Sequence, residues 1–218
     1  MIISHKYKFI FLKTKKTAGT SLEIALSRLC DERDVVTPIG EEKLRKEEGG
    51  RPGKLVKTEK VLFKNHVTAS HVKAHINSKI WNNYCKFTIE RNPWDKAISA
   101  YYFSKKGLEK RGKDSFPSLS EHLIWLAKNR PRLLSNWDIY TIDDEIAVDR
   151  VIFYENLTND LSKLANDLGV REINLPKKKV KGDLRENKCH YREVLSQSDA
   201  ELIKNICQRE IETFGYQF

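Results

Sequence analysis

The chain has 218 residues, 39% of them hydrophobic and 32% charged, which is enough apolar material for one sizeable core in a single domain spanning residues 1–218. Its formal net charge of +10 favours nucleotides, acidic glycans or other polyanions as ligands and leaves nucleic acid open as a partner. Four cysteines without a CxxC pair argue against a zinc site and a disulfide framework. With no apolar run of about 18 residues to span a membrane and no signal-peptide pattern, the sequence predicts a cytoplasmic protein.

Strands and helices alternate along the sequence. Short apolar runs predict strands at residues 7–12, 61–63, 84–89 and 148–154. Amphipathic stretches predict helices after the first and third of these strands and at residues 119–127, 157–168 and 198–215. This order favours an α/β class with a P-loop-like, three-layer fold, in which helices flank a central, mainly parallel β-sheet.

Capping residues mark the expected helix starts. Thr20 or Ser21 is expected to cap the first helix, and Pro93 should be the first residue of the helix after the third strand. A capping-box spacing that begins at Ser198 opens the last helix. Residues 41–60 are rich in charge, Gly and Pro, and predict a flexible, solvated loop or an insertion.

A polar turn joins the first strand to its helix, with the sequence Lys15-Lys16-Thr17-Ala18-Gly19-Thr20-Ser21. The free N–H groups and partial positive charge of a helix N-terminus attract an anion. Gly19 lets the backbone approach such an anion, Lys16 adds a full charge, and the three hydroxyls add donors. The segment lacks the GxxxxGK[ST] pattern, which disfavours an ATP or GTP site with magnesium. Taken alone, it could equally be an ordinary strand–turn–helix junction.

A second polar segment, Arg91-Asn92-Pro93-Trp94-Asp95-Lys96-Ala97-Ile98-Ser99, follows the third strand. Arg91 could grip a phosphate with two hydrogen bonds while Ser99 donates one more. Alternatively, Arg91 is a structural partner of Glu90 or Asp95. Trp94 could stack on a base or pack in the core. Two separate anion sites together predict a ligand with two anionic groups.

The two segments together resemble the sulfotransferase superfamily, and most closely its carbohydrate branch. In that branch the loop usually reads Pro-Lys-Thr-(Ala/Gly)-(Gly/Ser)-Thr-Ser, and the second motif reads Arg-Asn/Asp-Pro-x-x-Arg-x-x-Ser. The segments at residues 153–157 and 214–216 are also similar to it. Lys15 stands where proline is usual, and Lys96 stands where arginine is common.

This resemblance implies transfer of a sulfuryl group from 3'-phosphoadenosine 5'-phosphosulfate (PAPS) to a hydroxyl, leaving PAP as the product, with no metal. The acceptor would be a carbohydrate or other glycoconjugate. By resemblance, the 5' phosphosulfate is held by Lys15, Lys16, Thr17, Ala18, Gly19, Thr20 and Ser21. The 3' phosphate is held by Arg91 and Ser99, and a loop with Lys181, Gly182 and Arg185 closes over it. Lys16 is also catalytic, because it stabilises the charge that develops on the bridging oxygen.

A general base is expected among the histidines. His66 follows a short strand, in a turn that should open at the same sheet edge, and a histidine titrates near neutral pH. His71 is the alternative base, and a surface or capping role for His66 also stays open.

Two other functions remain as alternatives. A P-loop-type nucleotide kinase is disfavoured by the missing GK[ST] pattern and by the lack of an obvious strand-terminal aspartate for magnesium. A basic nucleic-acid-binding module gives no reason for the two spaced motifs. Residues 41–60 and 107–117 are expected to determine acceptor specificity, but they contain no motif that identifies the acceptor.

Overall fold

A computed structural model describes residues 1–55, 57–58, 61–113, 115–177 and 189–218. Lys181, Gly182 and Arg185 lie outside this part of the chain. The described residues within Met1–Glu90 and Asp138–Val180 form one compact unit, and those within Arg91–Trp137 and Lys181–Phe218 form another. The single-domain expectation for residues 1–218 stays a prediction.

The first unit is built on a mixed β-sheet. In chain order the described strands are β1 (Ile2–Ser4), β2 (Phe9–Leu12), β3 (Val35–Val36), β4 (Lys57–Thr58), β5 (Val61–Leu62), β6 (Cys85–Glu90), β7 (Thr141–Ile142), β8 (Glu145–Ile146) and β9 (Arg150–Phe153). Within the described residues the central sheet has five strands, in the order β3-β1-β2-β6-β9. The pairs β2–β6 and β6–β9 are parallel, and β1 is antiparallel to both of its neighbours. Four of these strands therefore share one direction, which confirms a mainly parallel sheet.

Apolar burial explains why the central strands form. All four residues of β2 are buried, and Phe9 and Phe11 pack against Phe87 of β6 with ring centroids 5.5 and 5.4 Å apart. A strand buried on both faces is continuously apolar, as the sequence indicates here. The strand predicted at 61–63 instead pairs with β4 in a two-stranded hairpin outside the central sheet.

The helices are distributed over both units. In chain order they are α1 (Gly19–Ser27), α2 (Glu42–Glu47), α3 (Ala69–His75), α4 (Ser78–Asn83), α5 (Pro93–Glu109), α6 (Leu119–Asn129), α7 (Trp137–Tyr140), α8 (Leu157–Asp167), α9 (Tyr191–Val194), α10 (Gln197–Ile206) and α11 (Gln208–Phe214). Short 3-10 helices occur at Pro131–Leu133 and Tyr154–Asn156. In the first unit, leucines of α1 and α8 complete the core beside the sheet phenylalanines. The α/β class, with helices flanking the sheet, is confirmed.

The expected loop at residues 41–60 contains a helix, so that expectation is wrong for α2. Arg45 of α2 is fully buried, and its Nη1 donates to Thr37 O at 3.1 Å and lies 2.8 Å from Glu42 Oε1. The chain after α2 packs tightly against α1 at Gly50, because a Cβ added to Gly50 would lie 2.3 Å from Ser27 Oγ. The charge-rich composition concealed this helix, since its arginine points into a polar, paired environment and not into solvent.

The second unit is helical within its described residues. Pro93 is the first residue of α5, as expected. The helix predicted at 198–215 is broken at Cys207, between α10 and α11. Its capping box consists of Ser196 and Asp199, so the expected start at Ser198 is wrong. Ser196 accepts from the Asp199 amide at 3.2 Å, while its own amide donates to the Asp199 carboxylate at 3.1 Å.

Candidate active site

The loop between β2 and α1 has a strained backbone. Lys16 and Ala18 have φ values of +63° and +64°, in the left-handed region that residues with a side chain seldom adopt. Such residues persist where the surrounding structure holds them, and they are concentrated at functional sites. Left-handed turns of this kind also create backbone concavities that bind anions.

Helix α1 begins at Gly19, two residues earlier than a cap at Thr20 would allow and three residues earlier than a cap at Ser21 would allow. Its N-cap is Ala18, which has no side-chain oxygen to accept from the first helical amides. The first turn also contains no acidic residue. Gly19 is needed for packing, because a Cβ there would lie 3.0 Å from Lys13 Cγ and 3.1 Å from Thr14 O. The result is a helix N-terminus whose amides and positive dipole end suit an anion.

The hydroxyl of Thr17 is committed within the protein. Thr14 Oγ1 donates to the carbonyl of Ile89 and lies 2.7 Å from Thr17 Oγ1. Because the Thr14 hydrogen goes to a carbonyl, Thr17 must donate its own hydrogen to Thr14. Thr17 is also fully buried. Its side chain therefore ties the loop to β6, and only its backbone N–H could serve an anion, which corrects the expectation of a hydroxyl donor at this position.

A buried ionic cluster lies directly before the loop. Lys13 Nζ is 2.8 Å from Glu23 Oε2, and Arg45 Nη2 is 3.2 Å from Glu23 Oε1. The ammonium of Met1 lies 3.0 Å from the same Oε1. Burial alone would raise the pKa of Glu23, but the Met1 ammonium, Lys13 and Arg45 outweigh it and lower that pKa from 4.5 to about 2. The carboxylate is therefore ionised at neutral pH and pairs with Lys13 and Arg45. Burial lowers the pKa of the Met1 amino group from 8.0 to about 6, so this third partner is largely neutral at pH 7.

His66 lies against the residue that precedes the loop. Its Nδ1 is 3.0 Å from the carbonyl oxygen of Lys13. A carbonyl can only accept, so this hydrogen bond places the proton on Nδ1 and leaves Nε2 with a lone pair in the neutral ring. Burial lowers the pKa of His66 from 6.5 to about 4, assisted by the charges of Lys13 and Lys15. The ring is therefore neutral at pH 7, and Nε2 is its basic nitrogen.

His71, the alternative base, has different neighbours. It lies in the first turn of α3, and its ring packs edge-on against Phe63 at 6.0 Å and beside His75 at 4.3 Å. Burial, followed by the charge of His75, lowers the pKa of His71. These contacts attach His71 to an aromatic group and not to the loop carbonyl that His66 contacts.

In the second unit, the segment after β6 is held by local contacts. Asn92 caps α5, because its Oδ1 accepts from the amides of Trp94 at 3.0 Å and Asp95 at 3.3 Å. Arg91 Nε donates to Asp95 Oδ2 at 2.7 Å, and Arg91 Nη2 lies 2.5 Å from the same oxygen. Trp94 is 2% exposed and donates to Ala200 O, so it is a core residue and does not stack on a base. Asp95 thus fixes the guanidinium of Arg91.

Ser99 and Lys96 lie one turn apart on α5. Ser99 is half-buried, whereas Lys96 is fully buried, with its Nζ 3.8 Å from Glu210 Oε1. Lys96, which replaces the common arginine, therefore supports the helix from within the second unit. The remaining phosphate candidates, Lys181, Gly182 and Arg185, lie outside the described residues.

Sequence reasoning missed Lys13, Glu23 and Asn65. Lys13 directly follows a buried strand, and Glu23 lies on the apolar side of α1, where it is fully buried. An acid among Leu22, Ile24 and Leu26 is an available signal, since a carboxylate on a buried helix face needs a cationic partner. The sequence could not say which of the forty Lys and Arg residues provides it.

Three further features of the described residues bear on the sequence expectations. No helix among them is long and apolar enough to cross a membrane. They also contain no group of three or more His, Cys, Asp or Glu side chains arranged to hold a metal ion, and the expectation of metal-free chemistry stays a prediction. All four cysteines lie in the described part of the chain, and none of them forms a disulfide there.

Comparison with known proteins gives a family match along almost the entire chain. The model of a family described as "Sulfotransferase family" matches residues 1–217. An uncharacterized protein of Archaeoglobus fulgidus is 29% identical over 102 residues, which cover 46% of this chain and 81% of that protein. The crystal structure of mouse sulfotransferase SULT7A1 complexed with PAP matches with a TM-score of 0.49 and 13% identity, covering 94% of this chain and 84% of that one.

Proposed function

The chain belongs to the sulfotransferase family, and on that premise we propose that it transfers the sulfuryl group of PAPS to a hydroxyl of a carbohydrate or glycoconjugate. One observation carries the proposal: the loop before α1 and the imidazole of His66 are joined through Lys13, whose carbonyl accepts from Nδ1 and leaves Nε2 as the basic nitrogen. A bound anion and a proton acceptor are the two requirements of sulfuryl transfer to a hydroxyl.

We assign the 5' phosphosulfate of the donor to the loop Lys15–Ser21. The left-handed Lys16 and Ala18 and the amides at the start of α1 provide backbone donors, and the ammonium of Lys16 provides charge. Thr20 and Ser21 are half-buried in the first turn, where their hydroxyls can serve the same anion. Thr17 contributes only its backbone N–H, because its hydroxyl is bonded to Thr14.

We assign the 3' phosphate to Arg91 and Ser99, following the family pattern of an arginine and a serine eight residues apart. Asp95 holds the guanidinium of Arg91 in one orientation, which lowers the entropy lost when a phosphate binds. The proposed loop with Lys181, Gly182 and Arg185 belongs to the same assignment and rests on the sequence alone.

The proposed general base is Nε2 of His66. The acceptor hydroxyl oxygen attacks sulfur while the bond from sulfur to the bridging oxygen breaks, and that electron pair leaves on the phosphate of PAP. The hydroxyl proton passes to Nε2, and Lys16 stabilises the negative charge on the leaving oxygen. A bound donor brings negative charge beside Lys15 and Lys16, which raises the pKa of His66 from about 4 and strengthens the base when it is needed.

The proposal includes a cytoplasmic location, supported by four cysteines that form no disulfide among the described residues, as suits a reducing compartment. It also includes metal-free chemistry, because Lys16 and the helix amides provide the positive charge that a metal would otherwise bring.

Transfer from labelled PAPS to a panel of glycans, glycolipids and small alcohols tests the function. His66→Ala should lower the turnover by roughly 10²–10⁴-fold, the usual contribution of a general base, and leave PAP affinity unchanged. His75→Ala, an exposed histidine on the same helix as His71, is the matched control. Full activity in His66→Ala with loss of activity in His71→Ala would reassign the base, and no transfer to any acceptor by the wild type would reject the function.

A further inference from the structure

Lys13 is buried beside the proposed site, and the donor assignment does not use it. Its side chain is 4% exposed, and its Nζ lies 2.8 Å from Glu23 Oε2. We propose that Lys13 is a positioning residue for sulfuryl transfer, which holds the turn of His66 so that Nε2 is the nitrogen presented to the acceptor hydroxyl. This inference rests on the proposed function, since it gives a structural cause for the orientation of the proposed base.

Two atoms of Lys13 hold two consecutive residues of the turn. Its carbonyl oxygen lies 3.0 Å from Nδ1 of His66, and its Nζ donates to Oδ1 of Asn65 at 3.4 Å. The same Asn65 side chain donates through Nδ2 to Pro38 O at 2.9 Å. The turn is therefore held through both the main chain and the side chain of Lys13, and from the other side by the segment before α2.

The backbone of His66 shows that the turn needs such support. Its φ is +58°, in the left-handed region, where a non-glycine residue is strained by about 1–3 kcal/mol. Strained residues persist only when neighbouring contacts favour them over a relaxed conformation. The contacts of Lys13 and Asn65 are positioned to provide that preference.

Glu23 in turn fixes the ammonium of Lys13. The carboxylate is fully buried and also lies 3.2 Å from Arg45 Nη2 and 3.0 Å from the Met1 ammonium. A lysine paired inside a protein loses the freedom of its long side chain, so its ammonium becomes a fixed hydrogen-bond donor. If Lys13 lost its charge, Arg45 would still contact Oε1 of Glu23, while Oε2 would lose its ionic partner. Lys13→Arg, which keeps the charge, is therefore the matched variant.

The charged groups that face His66 give the inference an electrostatic signature. They are the side chains of Lys13 and Lys15, which follow β2, and the amino group of Met1, which precedes β1. Burial is the largest cause of the lowered pKa of His66, and Lys13 is the next. Removing the Lys13 charge should therefore raise the pKa of His66, whereas Lys13→Arg, which keeps the charge, should leave that pKa low.

The test compares Lys13→Met with Lys13→Arg and uses nitrogen NMR of the His66 ring in the free protein. In the wild type we expect a proton on Nδ1 and a bare Nε2 at pH 7. In Lys13→Met we expect a higher pKa for His66 and a mixture of the two ring tautomers. In the pH–rate profile, the turnover on the plateau at higher pH should fall roughly 10–100-fold, as for a misplaced catalytic group. The PAP affinity should change less than about threefold. Lys13→Arg should recover most of the turnover.

Asn65→Ala provides the second variant, because it removes the amide anchor and leaves the Lys13–Glu23 pair intact. We expect the same mixture of tautomers and a smaller loss of turnover. Unchanged ring signals in both variants, or a loss of PAP affinity in Lys13→Met as large as the loss of turnover, would overturn the inference. The ring signals do not depend on activity, so a wild type that transfers no sulfuryl group would reject the proposed function and still leave the positioning of His66 measurable.

Discussion

Replacing Glu23 with glutamine should strongly destabilise the first unit. The side chain is fully buried, and Lys13 Nζ and Arg45 Nη2 lie 2.8 and 3.2 Å from its oxygens. The lowering of the Glu23 pKa from 4.5 to about 2 corresponds to about 3 kcal/mol of stabilisation at neutral pH. Removing one partner of a buried ion pair typically costs roughly 3–5 kcal/mol, so both arguments give a similar magnitude.

Urea denaturation of the wild type and Glu23→Gln at several pH values measures this effect. Because the folded-state pKa is depressed, the Glu23 contribution is fully present above pH 4.5 and is lost as the pH falls towards about 2. The gap between the two proteins should therefore be about 3 kcal/mol at pH 7 and should shrink below pH 4.5. The control is Glu47→Gln, which removes an exposed partner 3.9 Å from Lys43 and should cost at most about 1 kcal/mol. A cost for Glu23→Gln no larger than this control would refute the reasoning.

Three further predictions follow from the site. Lys16→Ala should weaken PAP binding roughly 10–100-fold, the value of a charge-assisted contact, as measured by calorimetry. The control Lys46→Ala, at an exposed lysine, should leave the affinity unchanged. Equal affinities in the two variants would remove Lys16 from the donor site. Arg91→Ala should weaken PAP binding by a similar factor and Ser99→Ala by roughly 2–10-fold, with Arg33→Ala, which removes a surface pair, as control. A larger effect at Ser99 than at Arg91 would contradict the 3' phosphate assignment. Because the His66 pKa is lowered from 6.5 to about 4, the unfolded state binds the extra proton, so stability falls as the pH drops from 6.5 to 4. In urea titrations, His66→Gln should lose about 2–3 kcal/mol less stability than the wild type over this pH range. An identical pH dependence of stability in the two proteins would show that the pKa of His66 is not lowered.

The sequence predicted the parts of the fold that depend on apolar periodicity. The apolar run before Lys13 predicted β2, and Pro93 predicted the start of α5. The short strands β1 and β3 and the helix α2 escaped detection. Two- and three-residue strands carry too little periodicity to recognise, and α2 is stabilised by Arg45, whose distant partner Glu23 no local pattern reveals.

For the site, the sequence indicated which segments matter but not how their side chains are used. It identified the loop from its lysine and glycine, yet the cap it expected at Thr20 or Ser21 is replaced by a left-handed Ala18. The sequence also predicted that the Thr17 hydroxyl donates to an anion, but in the structure this hydroxyl donates to Thr14. The direction of a hydrogen bond and the sign of the φ angle depend on residues that are distant in sequence. They can therefore be read only from the three-dimensional arrangement.

Ligand-induced stabilisation tests the central claim most directly, because a ligand that binds only the folded state raises its stability. Thermal unfolding should be followed with PAP, with magnesium and ATP, and with duplex DNA at matched concentrations. The account predicts that PAP gives the largest increase in melting temperature, and that Lys16→Ala loses most of it. At about one hundred times its Kd, PAP should add about 2.7 kcal/mol. Stabilisation by magnesium and ATP or by DNA, without stabilisation by PAP, would contradict it.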